Sequence, residues 1–378
     1  MPGRVLPILS VLALSLLACR APQMPTAAPP SATARATATP TLTLTATPSP
    51  TFSPSPTATH SVTPRPTPTA TPSPTPTSTA TPDPYAGLAI ADLTARSYGG
   101  GEVTVARVMG VTAAYTRTLI TFPSDGLTIY GFMNVPGGTG PFPVVIMLHG
   151  YIDPAAYSTL DYTTRYADAL AEAGYLVLHP NLRGYPPSDS GPNRFRVGMA
   201  VDVLNLMAIV QQRGGQPGSL QHADPQEVGL WGHSMGGGIT WRVLAVSQKV
   251  RAAVLYAAMN ADERKNLEQM VIWRRERGGA GGGVQDLETP DEDVRRLSPA
   301  SHLELITAAI SIHHSDADPT VPPEWSRDAC LRLREMGTTV ECFAYPGLPH
   351  TFRGAGDRLF ILRTIAFYDR YLKGGGRP

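Results

Sequence analysis

The chain of 378 residues carries a formal net charge of +1, with acidic and basic residues nearly balanced. No run of Lys and Arg offers the electrostatic footprint that nucleic acid requires, so no nucleic-acid partner is expected and a small substrate of little charge fits better. Pro and Thr crowd into the first quarter, leaving about 290 residues from Tyr85 onward, enough to bury one large core.

At the N-terminus, Arg4 is followed by an apolar run over residues 5–18, the length of a signal-peptide core and too short to span a bilayer. The run ends in Leu16-Leu17-Ala18-Cys19, which resembles the lipobox of bacterial lipoproteins. That resemblance implies loss of residues 1–18 and lipidation of Cys19 at the start of the mature chain. An ordinary secretory signal with a chance cysteine is the alternative, and both export the protein. The expected location is the extracellular face of the membrane, held by the lipid anchor only, or the medium if Cys19 is not lipidated.

Residues 19–84 are mostly Thr, Pro, Ser and Ala, with Arg35 and Arg65 the charged residues between 21 and 82. Such a segment cannot bury enough apolar surface to offset its ordering entropy, so a disordered stalk is expected. Its prolines favour extended polyproline II, giving a reach on the order of 100–200 Å.

The remainder, residues 85–378, alternates strand and helix patterns. Residues 118–122 and 127–135 read as an antiparallel pair joined by the turn signal Ser124-Asp125-Gly126. The continuous apolar run 144–148 suits a strand buried on both faces. A helix over 160–173, a strand over 175–179, a helix over 197–212 and a strand over 228–231 follow. Then come a helix over 236–246, strands over 252–257, 309–313 and 339–345, and helices over 323–336 and 356–372. Alternation of this kind predicts an α/β fold with a mostly parallel sheet. Residues 260–298 break the rhythm with charged helical pieces around a glycine run at 278–283. Those glycines lack a preceding strand and a following Lys-Ser/Thr, so a hinge in a lid is expected rather than a phosphate loop.

Gly232-His233-Ser234-Met235-Gly236 carries the chemistry. A serine on a sharp strand-to-helix turn exposes its hydroxyl, and the crowded backbone there demands glycine two residues before and two after. The pentapeptide follows an apolar strand and opens a helix, the context that makes Ser234 the expected nucleophile. A serine hydroxyl is a weak nucleophile and needs a base. Of the nine histidines, His350 lies after the last strand in a loop of turn-forming residues, the position of the base in this arrangement. His314-Ser315-Asp316-Ala317-Asp318-Pro319-Thr320-Val321-Pro322 resembles the H-G-x-x-D-x-x-V-P loop of dienelactone hydrolases, prolyl-oligopeptidase-type catalytic domains and related esterases. On that match Asp318 is the acid, with Ser315 standing where those families have glycine. Asp316 is the competitor, and its plain role is to accept from turn amides.

An oxyanion hole needs two preorganised N–H donors. Met235, after the nucleophile, supplies one. The loop His149-Gly150-Tyr151 resembles the H-G-x signature of the same superfamily, which implies the Tyr151 amide as the other. Asn181-Leu182-Arg183-Gly184-Tyr185 resembles its R-G loop, where the arginine is structural. Among the tryptophans, Trp273 in the candidate lid is the one expected near substrate.

The resemblance runs from about Thr118 to Leu372 and implies the α/β-hydrolase fold: a mostly parallel eight-stranded sheet, helices on both faces and a small lid insertion at 260–298. It also implies a serine esterase acting on a small-molecule or polymeric ester, without cofactor or metal. A prolyl-oligopeptidase-type peptidase is the alternative, although the chain has no room for the large N-terminal propeller of such enzymes. A binding protein with a vestigial hydrolase fold is disfavoured by the complete Ser/Asp/His set. Cys330 and Cys342 could pair across a helix–turn–strand if their Cα atoms lie within about 7 Å.

Overall fold

The computed structural model describes residues 82–276, 284–374 and 376. The signal segment, Cys19, the stalk up to residue 81 and the glycine run 278–283 lie outside them. Among the described residues no helix is long and apolar enough to cross a membrane.

A single sheet organises these residues. Its strands are β1 (Thr104–Val111), β2 (Tyr115–Ser124), β3 (Leu127–Pro136), β4 (Phe142–Leu148), β5 (Leu176–Pro180), β6 (Ala223–His233), β7 (Ala252–Tyr256), β8 (Ala309–Ser315) and β9 (Val340–Tyr345). They lie in the order β1-β2-β3-β5-β4-β6-β7-β8-β9. The first three pairings are antiparallel, and β4 to β9 run parallel. The sequence predicts eight strands, and the described residues form nine. The additional one is β1, which is exposed along almost its whole length and pairs with β2 through two register shifts. A strand with neither an apolar run nor an apolar alternation leaves no periodicity to read.

Helices cover both faces. They are α1 (Ile90–Ala95), α2 (Thr164–Glu172), α3 (Val197–Arg213), α4 (Met235–Val246), α5 (Glu263–Glu276), α6 (Asp291–Leu297), α7 (Pro323–Glu335) and α8 (Gly354–Tyr368). Side-chain alternation along the strands splits the core in two. From β4, Val144, Ile146 and Leu148 pack on one face with Leu204 of α3 and Leu244 of α4. Val145 and Met147 pack on the other with Leu170 of α2 and Phe360 of α8. This is the physical content of the unbroken apolar run in β4, since both sides of a central parallel strand are buried.

The chain order fixes where a site can form. From β4 the chain passes through α2 to β5 on one side, then through α3 back past β4 to β6. Crossovers leave β4 and β6 in opposite directions, which opens a crevice at the carboxyl ends of these neighbouring strands. Leu148, the last residue of β4, pairs with Gly232 near the end of β6.

The insertion between β7 and β8 contains α5 and α6. Arg242 of α4, 1% exposed, holds both: it bonds the Glu263 carboxylate at 2.5 Å and the Leu297 carbonyl at 2.7 Å. Arg196 pairs with the same glutamate. A buried guanidinium needs such partners to offset its desolvation. Cys330 and Cys342 form a disulfide with Cα atoms 6.4 Å apart, tying α7 to β9.

Candidate active site

Ser234 sits between the last residue of β6 and the first of α4, with φ 54° and ψ −115°. A non-glycine residue held there is strained, and the surrounding packing must keep it so. Its N–H donates to the Tyr256 carbonyl at 3.0 Å, and its own carbonyl accepts from Met259 at 3.0 Å, so β7 clamps the turn from the side. Around the turn glycine is required by space. A Cβ on Gly236 would collide with the Leu148 carbonyl, and one on Gly237 with the Ala258 side chain. A Cβ on Gly150 would lie 3.1 Å from the Ser234 Cβ and 2.6 Å from the Tyr162 hydroxyl. The loop after β4 therefore rests directly against the serine turn.

Asp318 lies in the loop after β8 and His350 in the loop after β9. His350 Nδ1 is 2.7 Å from Asp318 Oδ2. The Asp318 side chain is fully buried, and four donors converge on it. The amides of Thr320 and Val321 reach Oδ1 at 2.8 and 3.1 Å, while His314 Nε2 joins His350 on Oδ2 at 3.0 Å. Burial works against its ionisation, but the hydrogen bonds from His314 and His350 outweigh it and hold the carboxyl well below the usual carboxylate range. Asp316 is exposed and accepts instead from the Gly347 amide at 2.8 Å. Ser315 donates its hydroxyl to the Leu348 carbonyl at 2.6 Å, tying the loop of Asp318 to that of His350.

Residues 143–288 match the α/β-hydrolase fold family. The chain has the α/β-hydrolase fold. A curated Escherichia coli protein described as an uncharacterized 31.7 kDa protein in the traX-finO intergenic region is 28% identical over 131 residues, 35% of this chain and 42% of its own length. The chain thus spans less than half of that relative. A Mycobacterium tuberculosis puromycin-hydrolyzing peptidase superposes with a TM-score of 0.53 at 21% identity, covering 69% of this chain and 40% of the peptidase. Acetyl xylan esterase 1 from Thermoanaerobacterium superposes with a TM-score of 0.53 at 16% identity, covering 71% of this chain and 89% of the esterase.

In this hydrolase fold the loop His149-Gly150-Tyr151 borders the serine turn. His149 is fully buried between the Gly150 and Asn181 carbonyls, at 2.7 and 3.0 Å from its ring nitrogens. Tyr151, by contrast, is 62% exposed. Among the described residues no protein acceptor meets the N–H of Tyr151 or of Met235. The Met235 amide is one of the donors that the start of a helix leaves without an intrahelical partner.

Three features escaped the sequence. Tyr162 joins the serine turn to the loop after β4: the Gly150 amide donates to its hydroxyl at 2.9 Å, and the hydroxyl lies 2.5 Å from His233 Nδ1. His233 Nε2 in turn lies 3.2 Å from the His350 carbonyl. That oxygen is an acceptor, so Nε2 carries the proton and Nδ1 accepts from Tyr162. The second is His314 on Asp318, and the third is the Ser315 bond to Leu348. Nothing in local spacing announces any of them.

Arg183 acts as a structural group. It is buried against Asp202, with Nη2 2.7 Å and Nε 3.1 Å from Oδ1, and it also meets the Pro192 carbonyl. Trp273 of α5 donates its indole N–H to the Thr320 carbonyl at 2.8 Å, next to the loop that carries Asp318. Among the described residues no group of His, Cys, Asp or Glu is arranged to hold a metal ion.

Proposed function

We propose that this protein is a serine hydrolase that cleaves carboxylic esters through an acyl-enzyme, with Ser234, His350 and Asp318 as its triad. The observation that carries this reading is the 2.7 Å bond between His350 Nδ1 and a buried Asp318 carboxylate, with His233, the residue before Ser234 on its strained turn, 3.2 Å from the His350 carbonyl. With Nδ1 donating to Asp318, the lone pair of His350 is left on Nε2, where it can take the Ser234 hydroxyl proton as the oxygen attacks an ester carbonyl. Charge then builds on the former carbonyl oxygen, and the amides of Tyr151 and Met235 are the donors assigned to it. His350 returns the proton to the departing alcohol. Water, activated by the same imidazole, releases the acid and restores Ser234.

An esterase and a peptidase share this fold with equal TM-scores of 0.53, so turnover decides between the two bonds. Hydrolysis of p-nitrophenyl acetate and octanoate should be compared with that of proline and alanine p-nitroanilides. Ester turnover well above anilide turnover, lost in Ser234→Ala, is expected. Anilide turnover equal to or above ester turnover would make the protein a peptidase. No activity beyond that of Ser234→Ala on any of these would favour a binding role.

The location proposed is the extracellular face of the cell membrane, held through a lipid on Cys19. Fractionation of cells making the wild type and Cys19→Ala tests this: the variant should leave the membrane fraction.

A further inference from the structure

The catalytic carboxylate is shared by two histidines, and one of them has no part in the reaction described above. His314 lies near the end of β8, four residues before Asp318, and is 5% exposed. Its Nε2 is 3.0 Å from Asp318 Oδ2 and 3.1 Å from the Val321 carbonyl, while its Nδ1 is 2.6 Å from Ser326 Oγ. Both neighbours of Nε2 are acceptors, so a bare lone pair there would face two oxygens. The proton therefore sits on Nε2, and Nδ1 accepts from the Ser326 hydroxyl. Ser326 belongs to the first turns of α7, whose Cys330 is bonded to β9.

We propose that His314 is a positioning residue for ester hydrolysis, holding Asp318 ionised and its Oδ2 turned toward His350. The proposal rests on the reading of Ser234, His350 and Asp318 as the triad. Oδ1 is pinned by the Thr320 and Val321 amides, which leaves Oδ2 as the one oxygen able to meet His350. Staples to Val321 and Ser326 alone would close the loop. The additional bond falls on the same oxygen that orients the base. Without it, a buried carboxylate loses one of four donors and moves toward its neutral form, which cannot stabilise the imidazolium that forms on His350.

Steady-state kinetics on p-nitrophenyl acetate with four single variants test this, each checked for fold by near-UV circular dichroism. His314→Leu removes the donor, and His314→Gln places an amide N–H near the Nε2 position. Ser326→Ala frees the ring, and Asp318→Asn is the control for the triad. A hydrogen bond to a charged group predicts roughly a 10- to 100-fold fall in kcat for His314→Leu with KM little changed. His314→Gln should recover most of that loss, and Ser326→Ala should lower kcat several-fold, also without moving KM. Wild-type kcat in folded His314→Leu overturns the proposal, as does a loss that glutamine fails to rescue or one confined to KM. Should His314→Leu not fold, wild-type kcat in Ser326→Ala overturns it. Asp318→Asn separates the two readings: wild-type kcat there sinks the triad itself, whereas a collapse there with unaffected His314 and Ser326 variants sinks only the role of His314.

Discussion

Ser315 donates its hydroxyl to the carbonyl of Leu348 across 2.6 Å, joining the last residue of β8 to the loop after β9 two residues before His350. The Ser315 hydroxyl oxygen also accepts from the Ala317 amide at 3.2 Å. A serine at this position thus sets the spacing between the segments that carry Asp318 and His350 from outside the proposed triad. Ser315→Gly, which restores the residue of the resembling families, should cost about 1 kcal/mol of stability through the lost hydrogen bond and lower kcat a few-fold. Urea unfolding and ester kinetics check both effects.

The two candidate acids make opposite predictions. Asp318→Asn should lower kcat by about four orders of magnitude, because an amide in that place favours the wrong imidazole tautomer. Asp316→Asn removes only an acceptor for the Gly347 amide and should stay within about tenfold of wild type. Parallel turnover measurements decide, and the reverse ranking would displace Asp318.

Gly236→Ala tests the packing beneath the serine turn. The added methyl would strike the Leu148 carbonyl, which is backbone and cannot swing away. Overpacking of this kind costs about 1–3 kcal/mol or more, and shifting β4 would also disturb the neighbouring loop of Tyr151. A lowered midpoint of thermal unfolding together with a large loss of kcat is expected.

The pH dependence of stability follows from buried histidines. Burial pushes His179 and His313 down to about 3, and His233 lies well below its ordinary value for the same reason. Each is neutral in the folded chain but takes up a proton once unfolded below about pH 6.5, so the unfolded state binds more protons there. Stability is therefore full above pH 6.5 and falls as pH drops toward 3, by up to roughly 1.4 kcal/mol per pH unit for each histidine. His313 is packed against Phe343 and bonded to Ser311 and Tyr345, away from the triad. Urea unfolding from pH 7 to pH 4 should show a shallower decline in His313→Phe than in the wild type.

Much of the fold was legible because its signal is local. The apolar run in β4 and the glycines flanking Ser234 each leave a pattern within a few residues, although the groups that bury the run and crowd Gly236 lie elsewhere in the chain. The strand β1 was missed because its exposed residues carry no apolar period. The pairing of Cys330 with Cys342 stayed open because it depends on how α7 lies against β9, and that placement brought their Cα atoms to 6.4 Å. Tyr162 gave no signal, since a tyrosine in a loop is common and its value comes from the distant groups it meets, Gly150 and His233.

By itself, the order of strands and motifs determined the hydrolase fold and named Ser234, Asp318 and His350 as the candidates for its chemistry, because each stands at the end of a strand and spacing along a chain survives without coordinates. Tertiary structure alone decided that His350 meets Asp318 rather than Asp316, that His314 shares the same oxygen, and that Ser315 bridges to Leu348. Such contacts are set to within an ångström by the register of β8 against β9 and the packing of α7, which no local pattern encodes.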